Sequence, residues 1–323
     1  MSPKREVKKL GETLTVRRFQ RFKLGKQTMQ KLVLPAFQKI DAGRVQERMK
    51  NCGEFINVAT CTNCEKEHFQ GFNRCKVRWC IPCNAVKVKI WISKLCEPLK
   101  NWTNSGNKIA LLTLTMKDQP MGKLDNMLNV LQIAWRIFQN GKGNRKRFNK
   151  RFIGGVKSLE VKVGKGSGMW HAHYHLLVMY EAGRYQKDFD WLCEEWNKSV
   201  CMALKSNLSE KQGSVHIKQL KGDKSFLKGI IEGVKYIMKP ETEIYKPERL
   251  QEAYNALYGR RAQSTFGKLY GISKEVEKEN NIDEKKLDRF ICQACGCTEA
   301  VLHTELYKEI NKNLLDIDYS RMY

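Results

Sequence analysis

The stretch MWHAHYHLLVMY, residues 169–180, places three of the chain's six histidines at alternate positions. Side chains along a β-strand point to opposite faces in turn, so His171, His173 and His175 share one face of a predicted strand. The apolar face of the same strand carries Ala172, Tyr174, Leu176 and Val178. A hydrophobic core seldom selects a row of imidazoles, so this pattern predicts a metal-binding face. The alternative is a polar sheet face on which the histidines are incidental.

A second alternating segment, GGVKSLEVKV at residues 154–163, precedes the histidine strand across the glycine-rich turn GKGSG. Two such runs around such a turn predict a β-hairpin. If residues 164–169 form the loop, Glu160 lies opposite His173, with Cβ atoms about 5 Å apart. A register shifted by two residues would place Glu160 opposite His171 or His175 instead. A carboxylate and two imidazoles can then meet on one divalent cation, such as Mg²⁺ or Mn²⁺.

The segments around this hairpin predict an α+β domain with a central antiparallel sheet flanked by helices. The run KIALLTLTM, residues 108–116, is dense in apolar and β-branched residues and predicts a buried strand. Apolar residues from Leu124 to Phe138 recur at helical spacing, and further helices are predicted near 187–205 and 223–239. No apolar run approaches the roughly 18 residues that span a bilayer, and no signal peptide opens the chain, which favours a cytoplasmic protein.

The charge balance points to nucleic acid as the main partner. Lys and Arg number 59 against 34 Asp and Glu, a net charge of +25. Such an excess favours binding to a polyanion through counterion release, with an anionic membrane surface as the alternative. Residues 1–50 are interpreted as a basic arm, with some helix or with none. A second basic stretch follows the apolar run that ends at Phe138, and it could equally be a solvated loop. Its candidate phosphate contacts are Arg145, Lys146, Arg147, Lys150 and Arg151.

The segment SFLKGIIEGVKYIMKP, residues 225–240, predicts a helix that ends at Pro240. Its apolar residues cover one broad arc, and Glu232, Tyr236 and Lys239 fall together on the opposite side. A tyrosyl oxygen can attack a phosphodiester, a nearby carboxylate can activate water, and an ammonium can stabilise developing negative charge. An exposed tyrosine on an amphipathic helix usually has no such role. Only its occurrence together with the histidine row favours catalysis.

Most of the twelve cysteines fall in two clusters along the chain, which suits metal binding in an intracellular protein better than disulfides. The spacing of Cys61-x2-Cys64 and Cys80-x2-Cys83 predicts a zinc site, with buried free thiols as the alternative. Cys75 and His68 are spare candidates for this site. A second candidate zinc site comprises Cys292, Cys295, Cys297 and His303. The predicted division of the chain is a basic arm (1–50), a zinc-binding module (51–104), a catalytic domain (105–245) and a helical C-terminal region (246–323).

Three segments resemble motifs I, II and III of the HUH endonucleases: LLTLTM (111–116), LEV…HAHYHLLV (159–178) and EGVKYIMK (232–239). The likeness is closest to the replication initiators of small rolling-circle plasmids. The segment RCKVRWCIPCNAVKVKIW (74–91) is also similar to the cysteine segment that precedes motif I in that family. The three motifs occur in the family's order.

This resemblance implies an HUH-type antiparallel sheet and a metal-dependent, site-specific endonuclease and strand transferase acting on one strand at a double-strand origin. The nick leaves a 5′-phosphotyrosine and a 3′-hydroxyl. Carried over by position, His173 and His175 are the motif histidines, Tyr236 the nucleophile and Glu232 the residue of hydrolytic termination, while Glu160 or His171 supplies a further ligand. The implied partners are single-stranded or hairpin origin DNA and a host helicase and polymerase.

Two alternatives remain open at this point. An HUH-type transposase or mobilisation relaxase would use the same chemistry on other DNA, although a single tyrosine with Glu232 favours the replication type. A non-catalytic zinc-containing DNA-binding regulator would share the positive charge and the cysteines. Only the histidine row together with the Glu232 and Tyr236 helix separates an enzyme from such a regulator.

Overall fold

A computed structural model describes residues 18–141, 143–164, 166–181, 189–220, 229–231, 234, 243–281, 290–309 and 315–316. The predicted α+β class is confirmed, because antiparallel sheets are flanked by helices in the described chain. Contacts divide the chain into two units. The described parts of Met1–Gln38, Gly43–Ala85 and Asn280–Tyr323 form the cysteine unit, and those of Lys39–Ala42 and Val86–Glu279 form the sheet unit. Within the described residues, no helix has the length and apolar character needed to cross a membrane.

The α-helices are α1 (Arg18–Thr28), α2 (Leu34–Phe37), α3 (Arg44–Lys50), α4 (Ile81–Asn104), α5 (Leu124–Asn140), α6 (Asn144–Arg151), α7 (Phe189–Leu204), α8 (Pro247–Leu257) and α9 (Ile272–Asn281). A π-helical segment, Met29–Val33, joins α1 to α2, and Tyr307–Glu309 is a 3₁₀ turn. The strands are β1 (Phe55–Cys61), β2 (Glu67–Phe72), β3 (Lys108–Met116), β4 (Gly154–Val163), β5 (Trp170–Tyr180), β6 (Gly213–Gln219), β7 (Gln263–Gly267), β8 (Ala300–Leu306) and β9 (Leu315–Asp316).

The sheet unit is built around one antiparallel sheet with the strand order β6-β3-β5-β4-β7. The strands predicted at 108–116 and 154–163 occur with those bounds, as β3 and β4. The histidine strand β5 is central, paired with β3 on one edge and β4 on the other. It is therefore buried along almost its whole length, whereas exposed residues recur along the edge strand β6.

The register of the β4–β5 hairpin agrees with the pairing predicted for a loop at residues 164–169. Val163 pairs with Trp170, and Glu160 pairs with His173. The registers shifted by two residues do not occur. Because strand side chains alternate with period two, this register puts Glu160 on the same face as the histidines.

Helices α5 and α7 cover the apolar face of this sheet. The predicted helical run begins at Leu124, and the helix predicted near 187–205 is found as Phe189–Leu204. The ring of Trp135 packs edge-on against Tyr174 of β5, with centroids 6.1 Å apart. The indole Nε1 of Trp196 donates a hydrogen bond of 2.7 Å to the carbonyl oxygen of Thr115. These aromatic contacts anchor both helices on one side and leave the histidines on the other.

The histidine face of the sheet is apolar at one end and polar at the other. Leu177 and Met179 continue the alternation of the histidines along β5, and both are buried in a cluster that includes Trp91 and Leu95 of α4. The apolar end therefore forms part of the core. The polar end carries the candidate site, on a strand that is paired along both edges.

The cysteine unit contains a second sheet with the order β8-β1-β2-β9. Strand β1 pairs antiparallel with β2 in a hairpin and with β8 from Phe55↔Leu306 to Cys61↔Ala300. Helix α1 packs on this sheet through Phe22, whose ring lies 4.5 Å from that of Phe72. The basic arm predicted for residues 1–50 is thus mostly helical from Arg18 onward, with a non-helical stretch at 38–43, and its first helix is packed. Residues 1–17 lie outside the described part of the chain.

The contact units differ from the predicted division into contiguous segments. The cysteine unit combines Gly43–Ala85 with residues from Asn280 onward, whereas 51–104 and 246–323 were predicted to be separate. The physical reason is the β1–β8 ladder, which joins a segment from the first part of the chain to one from its last part. The C-terminal region is also not purely helical, because β7 extends the sheet unit and β8 the cysteine unit.

Candidate metal centre

Glu160 of β4 converges with His173 and His175 of β5 on the histidine face. The Oε2 atom of Glu160 lies 2.9 Å from Nε2 of His173 and 2.6 Å from Nε2 of His175. The two Nε2 atoms are 2.9 Å apart. All three side chains are buried, and their donor atoms are placed so that they could hold a metal ion.

The spacing of these donor atoms suits a small octahedral cation. Bonds of about 2.1 Å in an octahedral site put neighbouring ligand atoms about 3.0 Å apart. Tetrahedral bonds of the same length would require about 3.4 Å. Two imidazole nitrogens and one carboxylate oxygen, separated by 2.6–2.9 Å, lie closer to the octahedral than to the tetrahedral spacing.

Charge and burial prepare the three side chains for metal binding. Burial alone would raise the pKa of the Glu160 carboxyl, but hydrogen bonds from His173 and His175 outweigh burial and hold this pKa well below its ordinary value. The ammonium of Lys162, 3.1 Å from Oε1 of Glu160, acts in the same direction. Burial also lowers the pKa of His173, which keeps its ring neutral. An ionised carboxylate and a neutral imidazole are the forms that bind metals.

Thr113 of β3 contributes to this site and was not predicted from the sequence. It pairs with His175, and its Oγ1 lies 3.2 Å from Nδ1 of that ring. When a cation takes the place of the hydrogen bond to Glu160, a proton on Nδ1 would donate to Oγ1 and leave the Nε2 lone pair for the cation. Thr113 is thus a positioning residue for His175, as hydrogen-bonded partners of metal-binding histidines commonly are.

We expect Thr113→Val to weaken divalent-cation binding by about 10-fold, because the ring of His175 loses the bond that orients it. Titration of the protein with Mn²⁺ by calorimetry measures this change. Thr115→Val is the matched control, since Thr115 lies on the same strand and face and pairs with His173. An equal loss of affinity in both variants would contradict the positioning role of Thr113.

His171 lies beside the centre but is not one of the converging groups. Its Nδ1 is 2.6 Å from Oδ1 of Asp118, and its ring centroid lies 5.1 Å from that of His173. The geometry therefore gives no support for His171 as a further ligand. Glu160, the other candidate for that role, lies with His173 and His175. Asp118 was missed because it is a lone acidic residue just after β3, with no pattern that marks it.

The predicted tyrosine helix is described only in part, since Glu232, Tyr236 and Lys239 lie outside the described residues. Residues 229–231 are helical, and Ile230 and Val234 are fully buried. Both belong to the core cluster of Leu177 and Met179, which lie on the histidine face of β5. The described part of this segment therefore packs on the same face of the sheet as the candidate centre.

The predicted phosphate contacts lie on α6, which is a helix and not a solvated loop. Arg145, Lys146 and Lys150 are exposed. The guanidinium of Arg147 stacks over the ring of Trp191 at 4.5 Å. Arg151 is buried, which removes it from the surface that DNA could reach.

The structure groups the cysteines in another way than the spacing predicted. The first thiol cluster consists of Cys52, Cys75, Cys80 and Cys83. The second thiol cluster consists of Cys61, Cys64, Cys292 and Cys295. Each of these two clusters could hold a metal ion. The predicted set of Cys61 and Cys64 with Cys80 and Cys83 does not form. Cys61 and Cys64 belong to the β1–β2 turn, which lies beside the start of β8, so they meet Cys292 and Cys295 from the segment that precedes β8.

Three other predicted ligands of the cysteine unit lie outside both clusters. His303 contacts Glu305 at 2.8 Å, and the Sγ of Cys297 contacts Thr62 at 3.8 Å. His68 is fully buried, with its ring edge-on to Phe290 at 5.1 Å. Cys52 was missed, because it has no second cysteine at x2 spacing.

A buried group of one carboxylate and two imidazoles that could hold a metal ion lies on the sheet of a strongly basic α+β chain. Residues 66–307 match the family model Rep_1, described as Replication protein, so the chain belongs to this family of replication proteins. The family resemblance inferred from the motifs is thereby confirmed.

Similarity to one curated protein supports this assignment. The chain is 27% identical over 240 residues to "Protein rep" of Streptococcus pneumoniae serotype 2 (strain D39 / NCTC 7466). The match covers 72% of this chain and 71% of the relative. No solved structure matches the chain.

Proposed function

We propose that the protein initiates rolling-circle replication by nicking one strand at a double-strand origin through Tyr236. The observation that supports this most is the convergence of Glu160, His173 and His175 on one face of the sheet. The buried residues Ile230 and Val234, which flank Glu232 and precede Tyr236, pack on that same face. A phosphodiester bound at the centre would thus lie on the side of the sheet on which Ile230 and Val234, the described residues just before Tyr236 in the sequence, are packed.

The nick is a transesterification at one phosphorus atom. The phenolic oxygen of Tyr236 gives up its proton and bonds to phosphorus, while the bond from phosphorus to the 3′ oxygen breaks. The 3′ oxygen takes up a proton and leaves as a hydroxyl, and the phosphate stays on the protein as a 5′-phosphotyrosine. A divalent cation, Mg²⁺ or Mn²⁺, held by Glu160, His173 and His175 would polarise the scissile phosphate. Lys239 stabilises the negative charge that develops during this step. A host helicase then separates the strands, and the released 3′-hydroxyl serves as primer for a host polymerase.

The direct test is the formation of a covalent protein–DNA adduct. Full-length protein is incubated with Mn²⁺ and labelled single-stranded or hairpin oligonucleotides that tile the origin of its replicon. An adduct that survives denaturation supports the enzyme. Duplex binding without an adduct on any fragment would instead support a non-catalytic regulator, and adducts only on transposon ends or a transfer origin would support the transposase or relaxase.

Glu232 is proposed to act after the nick, as the base that activates water for hydrolytic release. We expect Glu232→Ala to keep the nicking rate within about threefold while the release of the phosphotyrosine slows by at least about 100-fold. Single-turnover gels that follow free 3′ ends and the covalent adduct separately measure both steps. Glu243→Ala, which removes an exposed carboxylate, is the control, and equal loss of both steps in Glu232→Ala would refute this assignment.

A further inference from the structure

The sulfur atoms of the first thiol cluster stand at the distances of a metal tetrahedron. The Sγ of Cys52 lies 3.5 Å from those of Cys80 and Cys83, and the Sγ of Cys75 lies 3.7 Å from that of Cys83. Four thiolates at about 2.3 Å from a zinc ion stand about 3.8 Å from one another. A disulfide would instead require about 2.05 Å. The cluster therefore has the dimensions of a tetrathiolate site.

The second thiol cluster has the same dimensions and joins distant parts of the chain. The Sγ atoms of Cys61 and Cys295 are 3.6 Å apart, and those of Cys64 and Cys292 are 3.4 Å apart. All four sulfur atoms lie within 4.8 Å of one another. One pair begins at the last residue of β1 and the other precedes β8, far apart in sequence, so only the fold brings them together.

Two similar turns present the thiols of the second thiol cluster. The backbone N–H of Glu65 donates to the carbonyl of Cys61 at 3.0 Å, and that of Gly296 donates to the carbonyl of Cys292 at 2.8 Å. Both donors have left-handed backbones, with φ of 55° and 78°. A left-handed conformation is strained for a glutamate, and such strain persists where the surroundings impose it. One ion shared by the two turns would impose this matching arrangement.

A buried ammonium and an exposed guanidinium lie beside the first thiol cluster. The ammonium of Lys26 is buried and donates to the carbonyl oxygens of Cys52, at 3.0 Å, and Gly53, at 2.6 Å. The guanidinium of Arg48 donates to the carbonyl of Cys75 at 2.7 Å. A buried ammonium is costly unless negative charge lies close by, and four thiolates around a divalent ion carry a net charge of −2. Positive charge beside the cluster thus matches a metal-bound tetrathiolate better than four neutral thiols.

We propose that the cysteine unit binds two structural Zn²⁺ ions, one in each thiol cluster, and that the second ion fastens β8 to β1. The core cluster beside the second thiol cluster is small: in the described chain it consists of Ala59, Cys61, Phe290 and Cys292, with four partly buried residues packed against it. A small core of this kind commonly needs a metal to persist. The second ion would therefore supply the stability that holds the strand 300–306 on a hairpin from the other end of the sequence.

The test begins with the zinc content of the purified full-length protein, for which we expect two ions per chain. Cys292→Ser/Cys295→Ser and Cys61→Ser/Cys64→Ser should each retain one ion. The variant that combines all four changes should also retain one, because both pairs hold the same ion. Cys297→Ser is the matched control, since its thiol lies in the same turn region but outside the cluster, and it should retain two.

Two readouts keep the proposal testable if a variant folds poorly. In the wild type, a chelator should expose Cys61, Cys64, Cys292 and Cys295 to alkylation together, as one set. Amide hydrogen exchange of residues 300–306 should then accelerate at least 10-fold, while that of α5 and α7, which hold no candidate metal ligand, stays unchanged. One ion or none in the wild type, loss of an ion in Cys297→Ser, or separate exposure of the two cysteine pairs would overturn the proposal.

Discussion

Tyr236→Phe should abolish the covalent protein–DNA adduct and lower the nicking rate by at least about 10⁴-fold, because the variant lacks the oxygen that attacks phosphorus. The substitution keeps the ring and removes only the hydroxyl, so a loss of activity would report on that oxygen. Origin-derived single strands with a 5′ or 3′ label, analysed on denaturing gels with Mn²⁺ present, measure both effects. Binding of the same oligonucleotide should remain within about threefold, since it depends mainly on positive charge.

Tyr245→Phe is the control for this experiment. Tyr245 is buried, and burial raises the pKa of its phenol above the ordinary value, so it is a poor candidate for a nucleophile. We expect this variant to form the adduct at nearly the rate of the wild type. An adduct that persists in Tyr236→Phe and disappears in Tyr245→Phe would mean that the nucleophile was assigned to the wrong residue.

The candidate centre could be predicted from the sequence because its geometry is local. Glu160 and His173 lie on two adjacent strands joined by a short glycine-containing loop, and the alternation of each strand fixes which side chains share a face. The pairing of His175 with Thr113 was not predictable in the same way. Strands β3 and β5 are separated in sequence by α5, α6 and β4, so no turn sets their register.

The cysteine clusters show why spacing alone is a weaker guide. Cys61-x2-Cys64 and Cys80-x2-Cys83 are each recognisable as half of a metal site, but the spacing does not say which halves meet. The answer depends on the pairing of β1 with β8, a contact between segments that are far apart in sequence. Cys52 completes the first thiol cluster from just after the end of α3, where a lone cysteine carries no pattern.

Removal of a ligand from the candidate centre is the second change from which we expect a large effect. His173→Ala should lower the nicking rate by at least about 100-fold, because polarisation of the scissile phosphate by a bound cation is worth several kcal/mol. Glu160→Gln should act in the same direction, since it removes the charge of the ligand and keeps its shape. In both variants, Mn²⁺ binding measured by calorimetry should weaken in parallel with the rate.

His216→Ala separates loss of the centre from a general effect of removing an imidazole from this face. His216 pairs with Thr113 across the β3–β6 ladder, so it lies on the histidine face, yet it is exposed and outside the converging group. We expect its nicking rate and Mn²⁺ affinity to stay within about threefold of the wild type. Since all three variants keep the basic surface, DNA binding should be retained throughout. If His173→Ala nicked DNA as fast as His216→Ala, the three converging side chains would not be the catalytic metal site.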